Sequence, residues 1–267
     1  MATLSDFAFE KICKLVKKYT GIHLGESKKQ LVEGRLSKRV RLLNLTNFDA
    51  YYDECLRSAQ ELQTMINIIT TNETSFFREA HHFEFMRSDI LPRVKHERFR
   101  VWSAAASIGA EAYSIAMLLD DFFAHTHIDW EVVGTDINTE VIEQASIGLY
   151  PIRFSEQIDK KYLKKYCLKG INSQEGQFLI DERLKKRVKF KQANLIIETQ
   201  PEIERFDIIF LRNMLIYFDN ESKEQIVKNV LKALKPDGYL FIGHSETLGR
   251  ISSNVRQIKP TIYKSGV

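Results

Sequence analysis

The first 70 residues alternate apolar and polar positions with a helical period. Apolar side chains near the start recur at helix-like spacing: Phe7, Phe9, Ile12, Leu15 and Val16. Further helices are predicted at about residues 26–43, 48–57 and 59–69. Because this block contains no proline and few glycines, the pattern predicts an all-helical N-terminal domain over residues 1–70.

The second predicted helix has two different edges. Val32, Leu36, Val40 and Leu43 follow at steps of four, four and three, which predicts a buried edge. Basic residues occupy the neighbouring edge and the positions further round: Lys28, Arg35, Lys38, Arg39 and Arg41. Residues 28–41 carry six basic side chains against one acidic, whereas the formal net charge of the whole chain is only +4.

A polar run at residues 70–74, rich in helix-capping side chains, separates this block from the rest of the chain. We expect a domain junction there, with a junction segment and linker helix over residues 71–99.

From residue 100 onward, short apolar runs alternate with helix-length segments. Strands are predicted at residues 100–105, 131–135, 188–192, 206–211, 239–243 and 261–264. Helices are predicted at residues 110–123, 139–146 and 221–234, the last of them closed by a stop and turn at residues 235–238. This alternation predicts a doubly wound α/β domain over residues 100–267, with a parallel sheet covered on both faces.

Residues 150–187 fit the alternation least well. The segment is basic and holds a short apolar run at residues 178–180. We expect an insertion there, with a small β-hairpin near residues 165–187.

Composition limits the possible classes of protein. Of the 267 residues, 44% are hydrophobic and 28% charged, as in ordinary globular domains. No apolar run approaches the roughly 20 residues that span a bilayer, and the start lacks a signal-peptide pattern, so we expect a cytoplasmic protein without membrane insertion. The three cysteines are far apart and form no C-x-x-C pair, which argues against a disulfide framework or a zinc site. A net charge of +4 does not by itself indicate nucleic-acid binding.

Three loops are candidates for chemistry, because ligands of open α/β sheets bind beyond the carboxyl ends of the strands. The first, residues 106–111, is a small-residue turn into a helix, and a turn without a ligand explains it equally well. The second places Asp136 directly after a strand, where a carboxylate can accept from ribose hydroxyls. Asp136 is alternatively the N-cap of the next helix, although Asn138 can supply that cap. The third, residues 211–218, puts polar side chains directly after a buried strand.

Several other activities lack their motif. Neither G-x-G-x-x-G nor a P-loop is present, which argues against a nicotinamide dehydrogenase and against P-loop phosphate binding. Residues 243–247 (GHSET) match a nucleophile elbow in two positions only, which argues against a serine hydrolase. His81 and His82 are adjacent and expected to point in different directions on a helix, so we expect no metal site. The loop at residues 212–215 lacks the Asn/Asp-Pro-Pro-Tyr pattern of nucleic-acid methyltransferases.

These segments together resemble one family, the CheR chemotaxis-receptor glutamate methyltransferases of bacteria. The resemblance runs from about Phe7 to Tyr263. It rests on the order and spacing of TTNETSFFRE, RVWSAAAS, GTDINTEVIEQA, LRNMLIYF, LKPDGYLFIGHSE and TIYK. The family usually has threonine, glutamate and proline where this chain has Ile108, Ala110 and Ala112, while Glu111 is retained.

The resemblance implies a class I (Rossmann-like) methyltransferase domain with a small β insertion, behind an all-helical domain. It implies transfer of a methyl group from S-adenosylmethionine (SAM) to receptor glutamates, leaving S-adenosylhomocysteine (SAH). By matching positions, the expected cofactor-binding residues are Asn72, Thr74, Arg78, Glu111, Asp136, Asn194, Leu195, Arg212 and Asn213. Arg78 and Tyr217 are expected nearest the transferred methyl.

The partners implied are the cytoplasmic helices of methyl-accepting chemoreceptors. Their carboxylates would be attracted to Lys28, Arg35, Lys38 and Arg39, although a solvated helix face explains the same charges. The insertion is a further candidate, for a receptor C-terminal tail that adds as a strand. A second hypothesis stays open: a non-catalytic module that binds SAM, SAH or a receptor without turnover.

Overall fold

The computed structural model describes residues 3–197, 205–249 and 255–266. The four predicted N-terminal helices are present as α1 (Asp6–Thr20), α2 (Lys29–Leu42), α3 (Phe48–Arg57) and α4 (Ala59–Ile69). Residues Glu26–Lys28, predicted as the start of the second helix, form a 3₁₀ turn instead. Ser5 caps α1 by accepting from the Ala8 N–H, and Gly21 ends it with a φ of 75°. The apolar edge of α2 is buried as predicted, because Val32, Leu36 and Val40 face the helical core.

The junction segment crosses onto the sheet domain. It contains α5 (Ala80–Phe85), followed by a π-helical turn (Met86–Ile90) and a 3₁₀ turn (Leu91–Arg93). Phe83, Phe85 and Met86 are buried in the same core as the central sheet, so this segment packs as part of the second domain.

A seven-stranded sheet organises the rest of the chain, with strand order β6-β2-β1-β7-β8-β10-β9. Its strands are β1 (Arg98–Ser103), β2 (Asp129–Asp136), β6 (Val188–Gln192), β7 (Phe206–Leu211), β8 (Leu234–Ile242), β9 (Val255–Lys259) and β10 (Ile262–Ser265). The first five in spatial order pair in parallel, and the last two add antiparallel at one edge. The crossover helices are α6 (Ala110–Phe122), α7 (Thr139–Ile147) and α10 (Asn220–Lys232). This is the doubly wound architecture that the alternating pattern predicts.

Two details of the sheet differ from the sequence-based expectation. Residues 235–238, predicted as a stop and turn, lie within β8, where Asp237 has a φ of 62° and the pairing with β7 shifts register. The turn residues therefore make a bulge and do not end the pairing. Strand β9 was not predicted, because its residues alternate without an apolar run.

The insertion holds a three-stranded antiparallel sheet in place of the expected hairpin. Its strands are β3 (Leu149–Pro151), β4 (Cys167–Lys169) and β5 (Gln177–Ile180), in the order β3-β5-β4. Two short helices, α8 (Lys160–Tyr166) and α9 (Glu182–Lys185), complete it. Tyr150, Phe178 and Ile180 join the main core, and this anchors the small sheet to the large one.

The helical domain lies over the carboxyl edge of the parallel strands. Asn138, after β2, donates to the Asn67 carbonyl (3.1 Å) and to the Thr70 hydroxyl (2.8 Å). Gln63 donates to the carbonyl of Ile137 (3.0 Å). At the other side of this edge, Lys17 forms an ion pair with Asp219 (2.7 Å). Both ends of the helical domain are thus fixed above the loops in which ligands of this fold bind.

Among the described residues, no helix is both long enough and apolar enough to cross a bilayer.

Candidate active site

A cavity lies between the helical domain and the carboxyl edge of the sheet. Its walls come from residues 20–31 of the helical domain, residues 69–78 of the junction, and the loops after β1, β2, β6 and β7. All three candidate loops of the sequence analysis open into this one space, because the carboxyl ends of parallel strands meet at one edge.

The loop after β1 turns sharply into α6 at Gly109, which has a φ of 87°. A Cβ atom there would lie 2.9 Å from Ala145 Cβ and 3.0 Å from the Phe190 ring, so only glycine fits. The turn places Glu111 in the first turn of α6, where it lines the cavity and accepts from the Ser103 hydroxyl (2.7 Å). Burial raises the pKa of Glu111 above its usual value, although Arg212 and Ser103 act in the opposite direction.

The two roles considered for Asp136 are separated by the structure. Asn138 is the N-cap of α7, accepting from the N–H groups of Glu140 and Val141. Asp136 instead accepts from the backbone N–H of Ser107 (2.9 Å) and of Asn138 (3.0 Å), and it lines the cavity. Burial raises the pKa of Asp136, and the backbone N–H donors oppose that rise. Each carboxylate oxygen keeps a lone pair with which it can accept from a ligand hydroxyl.

Arg212 is buried at the centre of a charge network. Its guanidinium lies 3.1 Å from Glu111 and 3.4 Å from Glu79, and it also donates to the carbonyl of Arg78. Since two carboxylates of its own chain already hold it, Arg212 orients Glu111. Arg78 is exposed at the cavity wall, with one long hydrogen bond to the Glu73 carbonyl (3.3 Å). An arginine can hold a carboxylate through two parallel N–H donors, and of Arg78 and Arg212 only Arg78 is accessible to one from a substrate.

Glu79 is a site residue that the sequence analysis missed. It has a left-handed backbone, with a φ of 57°, and it accepts from the Asn213 amide (3.0 Å) and the His244 N–H (3.2 Å). Burial acts to raise the pKa of Glu79, but Arg212 and the Asn213 amide outweigh it and hold the pKa below the usual value. The sequence could have indicated Glu79 as a site residue, because it ends the family-like segment TTNETSFFRE directly after the predicted site residue Arg78.

The remaining expected cofactor residues also line the cavity: Asn72, Thr74, Asn194, Leu195 and Asn213. Asn194 donates to the carbonyl of Tyr19 (2.6 Å), so this residue also joins the sheet to the helical domain. Tyr217 is exposed at the mouth, and its carbonyl accepts from the N–H of His23 (2.9 Å).

The four basic residues expected to bind substrate are not equivalent. Lys28 and Lys38 are exposed, and Lys28 reaches the cavity wall. Arg39 forms a bidentate pair with the buried Glu61, at 2.8 Å and 2.5 Å. Arg35 donates to the carbonyls of Ile69 and Thr70 and to the Thr71 hydroxyl. The two arginines therefore brace the helical domain and the junction, while the two lysines are accessible to a partner.

His81 and His82 do not diverge as the sequence suggested, since their ring centroids lie 4.1 Å apart. With Glu79 they place three possible metal-ligand atoms within 4.8 Å of one another. His82 is fully buried, lies 2.8 Å from the Thr261 hydroxyl, and has its pKa lowered to about 3 by burial and by Arg212. The Arg212 guanidinium lies 3.4 Å from Glu79 Oε2, and its positive charge opposes the binding of a cation at this cluster.

The fold and the lining of the cavity define a class I SAM-dependent methyltransferase. Two family profiles match in succession: "CheR methyltransferase, all-alpha domain" over residues 8–70 and "CheR methyltransferase, SAM binding domain" over residues 72–264. The chain belongs to the CheR methyltransferase family.

Curated relatives agree over nearly the whole chain. A chemotaxis protein methyltransferase of Salmonella typhimurium is 38% identical over 97% of this chain and 90% of its own length. Chemotaxis protein methyltransferase 2 of Pseudomonas aeruginosa is 38% identical over 96% of this chain and 91% of its own. That of Borreliella burgdorferi is 37% identical over 95% and 92%. SAM-dependent methylation in chemotaxis is therefore the activity of this family of proteins.

Proposed function

We propose that this protein transfers the methyl group of SAM to glutamate side-chain carboxylates of bacterial chemoreceptors. The observation that carries the proposal is the cavity itself. Its floor holds Asp136 and Glu111, its mouth holds Arg78 and Tyr217, and Lys28 projects beside that mouth. Cofactor and acceptor can thus meet between the sheet and the helical domain.

The cavity suits SAM because its donors and acceptors match the cofactor's polar groups. Asp136 would accept from the ribose hydroxyls, and Glu111, held by Arg212, would attract the amino group of the methionine part. Asn72, Thr74, Asn194, Leu195 and Asn213 would complete the pocket. When bound, SAM supplies a methyl carbon on a positively charged sulfur, which leaves as a neutral thioether when the carboxylate oxygen bonds to that carbon.

The protein's own residues need only align and shield the acceptor. A free glutamate has a pKa near 4.3, so it is already a carboxylate at neutral pH and no general base is required. Arg78 can hold such a carboxylate through two parallel N–H donors, and Tyr217 borders the same opening. Closure of the cavity by the helical domain would exclude water from the reacting atoms.

Receptor helices would dock on the exposed lysines of the helical domain. Receptor methylation segments carry several carboxylates. Lys28 presents an exposed positive charge at the cavity wall, and Lys38 presents another farther along the same segment. Arg35 and Arg39 would support this surface from behind, because their guanidinium groups already bind acceptors of the chain itself.

The insertion offers a second contact, for a receptor C-terminal tail. Leu149, Leu179 and Leu168 pair across the three strands in one row, opposite to the buried side chains of the small sheet. Leu149 and Leu168 are exposed, and β4 is an edge strand with free pairing positions. An extended tail with apolar side chains would suit this surface by strand addition.

The test is transfer of labelled methyl from SAM to a purified receptor cytoplasmic fragment. We expect label on the receptor that is released as methanol by mild alkali, because carboxyl methyl esters hydrolyse there and N-methyl groups do not. Receptor fragments with the labelled glutamates changed to alanine serve as the control. Alkali-stable label would refute the carboxylate acceptor, and SAM binding without transfer would favour the non-catalytic module.

A further inference from the structure

The sequence GHSET after β8 contains a buried carboxylate to which no role has been given. Glu246 is 8% exposed, and none of the described lysines, arginines or histidines forms an ion pair with it. Its charge is instead met by three backbone donors, the N–H groups of Gly243 (2.6 Å), Asn213 (2.8 Å) and Leu215 (2.7 Å). A carboxylate bound in this way stabilises the backbone that supplies the donors.

Two of those three donors belong to the loop after β7, which carries Arg212, Asn213 and Tyr217. Asn213 has a φ of 55°, a left-handed conformation that asparagine adopts more readily than most residues but that is less stable than right-handed backbone. Such a conformation persists only where the surroundings hold it. Glu246 holds the backbone of Asn213, while Glu79 holds its side-chain amide.

The ends of β7 and β8 approach each other closely at this point. A Cβ atom on Gly243 would lie 2.5 Å from Asn213 Nδ2, 2.7 Å from Asn213 N and 2.7 Å from Glu246 Oε2. No side chain fits there without moving Asn213, Glu246 or both, so the glycine and the glutamate of GHSET act on the same neighbour.

Glu246 does not line the cavity, whereas Asn213, Met214 and Tyr217 do. We propose that Glu246 is a positioning residue for cofactor binding, which fixes the loop after β7 so that Asn213 and Tyr217 face the cavity. It touches neither the cofactor nor the acceptor and acts entirely through the backbone of that loop.

The first variant is Glu246→Gln, which keeps the shape but replaces one acceptor oxygen with an N–H₂ donor. At least one of the three buried N–H groups then lacks an acceptor. We expect the dissociation constant of SAH, measured by calorimetry, to rise about tenfold, and the KM for SAM to rise more than kcat falls.

Asp207 supplies a matched control at the opposite, amino edge of the same sheet. It is also a buried carboxylate, and it accepts hydrogen bonds from the backbone N–H of Arg100 (2.8 Å) and from the ammonium group of Lys235 (2.8 Å). Asp207→Asn should lower the unfolding temperature without changing SAH affinity. Equal losses of affinity in both variants would reduce Glu246 to a general stabilising residue and overturn the proposal, as would a folded Glu246→Gln with unchanged SAH affinity.

Gly243→Ala tests the same loop with the carboxylate intact, and decides the matter if Glu246→Gln does not fold. The added methyl group must displace Asn213, the Glu246 carboxylate that binds it, or both, so SAH should again bind about tenfold more weakly. Parent-like SAH affinity in folded Gly243→Ala would refute the dependence of the cofactor on this loop.

Discussion

Asp136 is the residue that most directly tests the cofactor pocket. Its carboxylate is positioned by two backbone N–H donors and has no role in capping α7, so its remaining lone pairs are available to a ligand. We predict that Asp136→Ala weakens SAM and SAH binding by about a hundredfold, because two ribose hydroxyls lose a shared acceptor. Titration calorimetry measures this.

The control is Asp181→Asn, which removes a carboxylate cap of the short helix α9 in the insertion. It should leave both affinities unchanged. Parent-like SAH binding by Asp136→Ala would contradict the pocket assigned here.

The lowered pKa of Glu131 implies that the free energy of unfolding depends on pH in a specific way. This carboxylate is buried on β2 against Arg100 (2.5 Å) and Lys189 (3.0 Å), and these partners overcome the effect of burial and lower its pKa from 4.5 to about 2. Because the pKa of Glu131 is lower in the folded than in the unfolded protein, the stability that its charge contributes is fully present above the unfolded pKa. That stability is lost as the pH falls toward about 2.

We therefore expect Glu131→Gln to lower the free energy of unfolding by about 2 kcal/mol at pH 7 and by progressively less between about pH 5 and pH 2. Urea denaturation of both proteins across this range measures the difference. A difference independent of pH would show that packing, and not charge, accounts for the effect.

At the scale of residues, the sequence indicates where a side chain lies when that residue directly follows the end of a strand. Asp136, Glu111 and Arg212 meet in one cavity because parallel strands deliver their following loops to one edge. Glu79 and Glu246 were missed because their partners are backbone N–H groups and side chains distant in sequence, and such contacts leave no periodic signal. The same holds for the own-chain partners of Arg35 and Arg39, which an amphipathic pattern does not reveal.

At the scale of elements, α2 and the 3₁₀ turn before it carry two kinds of basic residue, and substitutions of the two kinds should affect different properties of the protein. We predict that the double variant Lys28→Glu/Lys38→Glu raises the KM for a receptor fragment at least about tenfold, since both side chains are exposed and would then repel receptor carboxylates. Its unfolding temperature should match that of the parent protein.

Arg39→Gln provides the contrast within the same helix. It leaves Glu61 buried without its cation and should cost about 3 kcal/mol of unfolding free energy. The division of α2 into a docking edge and a bracing edge fails if Arg39→Gln is as stable as the parent, or if the lysine variant methylates receptor normally.

Helices and strands could be predicted from the sequence where their apolar residues follow a regular pattern. The four N-terminal helices and the parallel strands carry continuous patterns, and the structure contains them. The bulge at Asp237 depends on the pairing of β8 with β7. The short strand β3 depends on its pairing with β5. In both cases the hydrogen-bond partners come from a distant part of the chain and leave no local pattern. The turn-forming residues 235–238 therefore predicted a turn before the strand, whereas in the structure they lie within β8.

For the whole molecule, the cavity between two domains predicts that a ligand should stabilise both. Residues between 20 and 31 line the same space as residues 193–196 and the loop after β7, although the chain separates them widely. We predict that SAH at about 100 times its dissociation constant adds about 2.7 kcal/mol to the unfolding free energy. Hydrogen exchange should slow in the C-terminal part of α1 as well as in the loops after β2 and β7.

Protection confined to residues 100–267 would contradict a shared cavity. The Asp136→Ala variant under the same conditions is the control, because it retains both domains and lacks the expected cofactor contact.

One small contact has a mechanical consequence. Ile22 forms a bridge with Phe218, and the next N–H along, that of His23, binds the carbonyl of Tyr217. The backbone that follows α1 is thus tied directly to the loop that carries Tyr217 beside the cavity. A partner that displaces the helical domain would therefore also move Tyr217 through this backbone bridge, so partner binding and the shape of the cavity would be mechanically coupled.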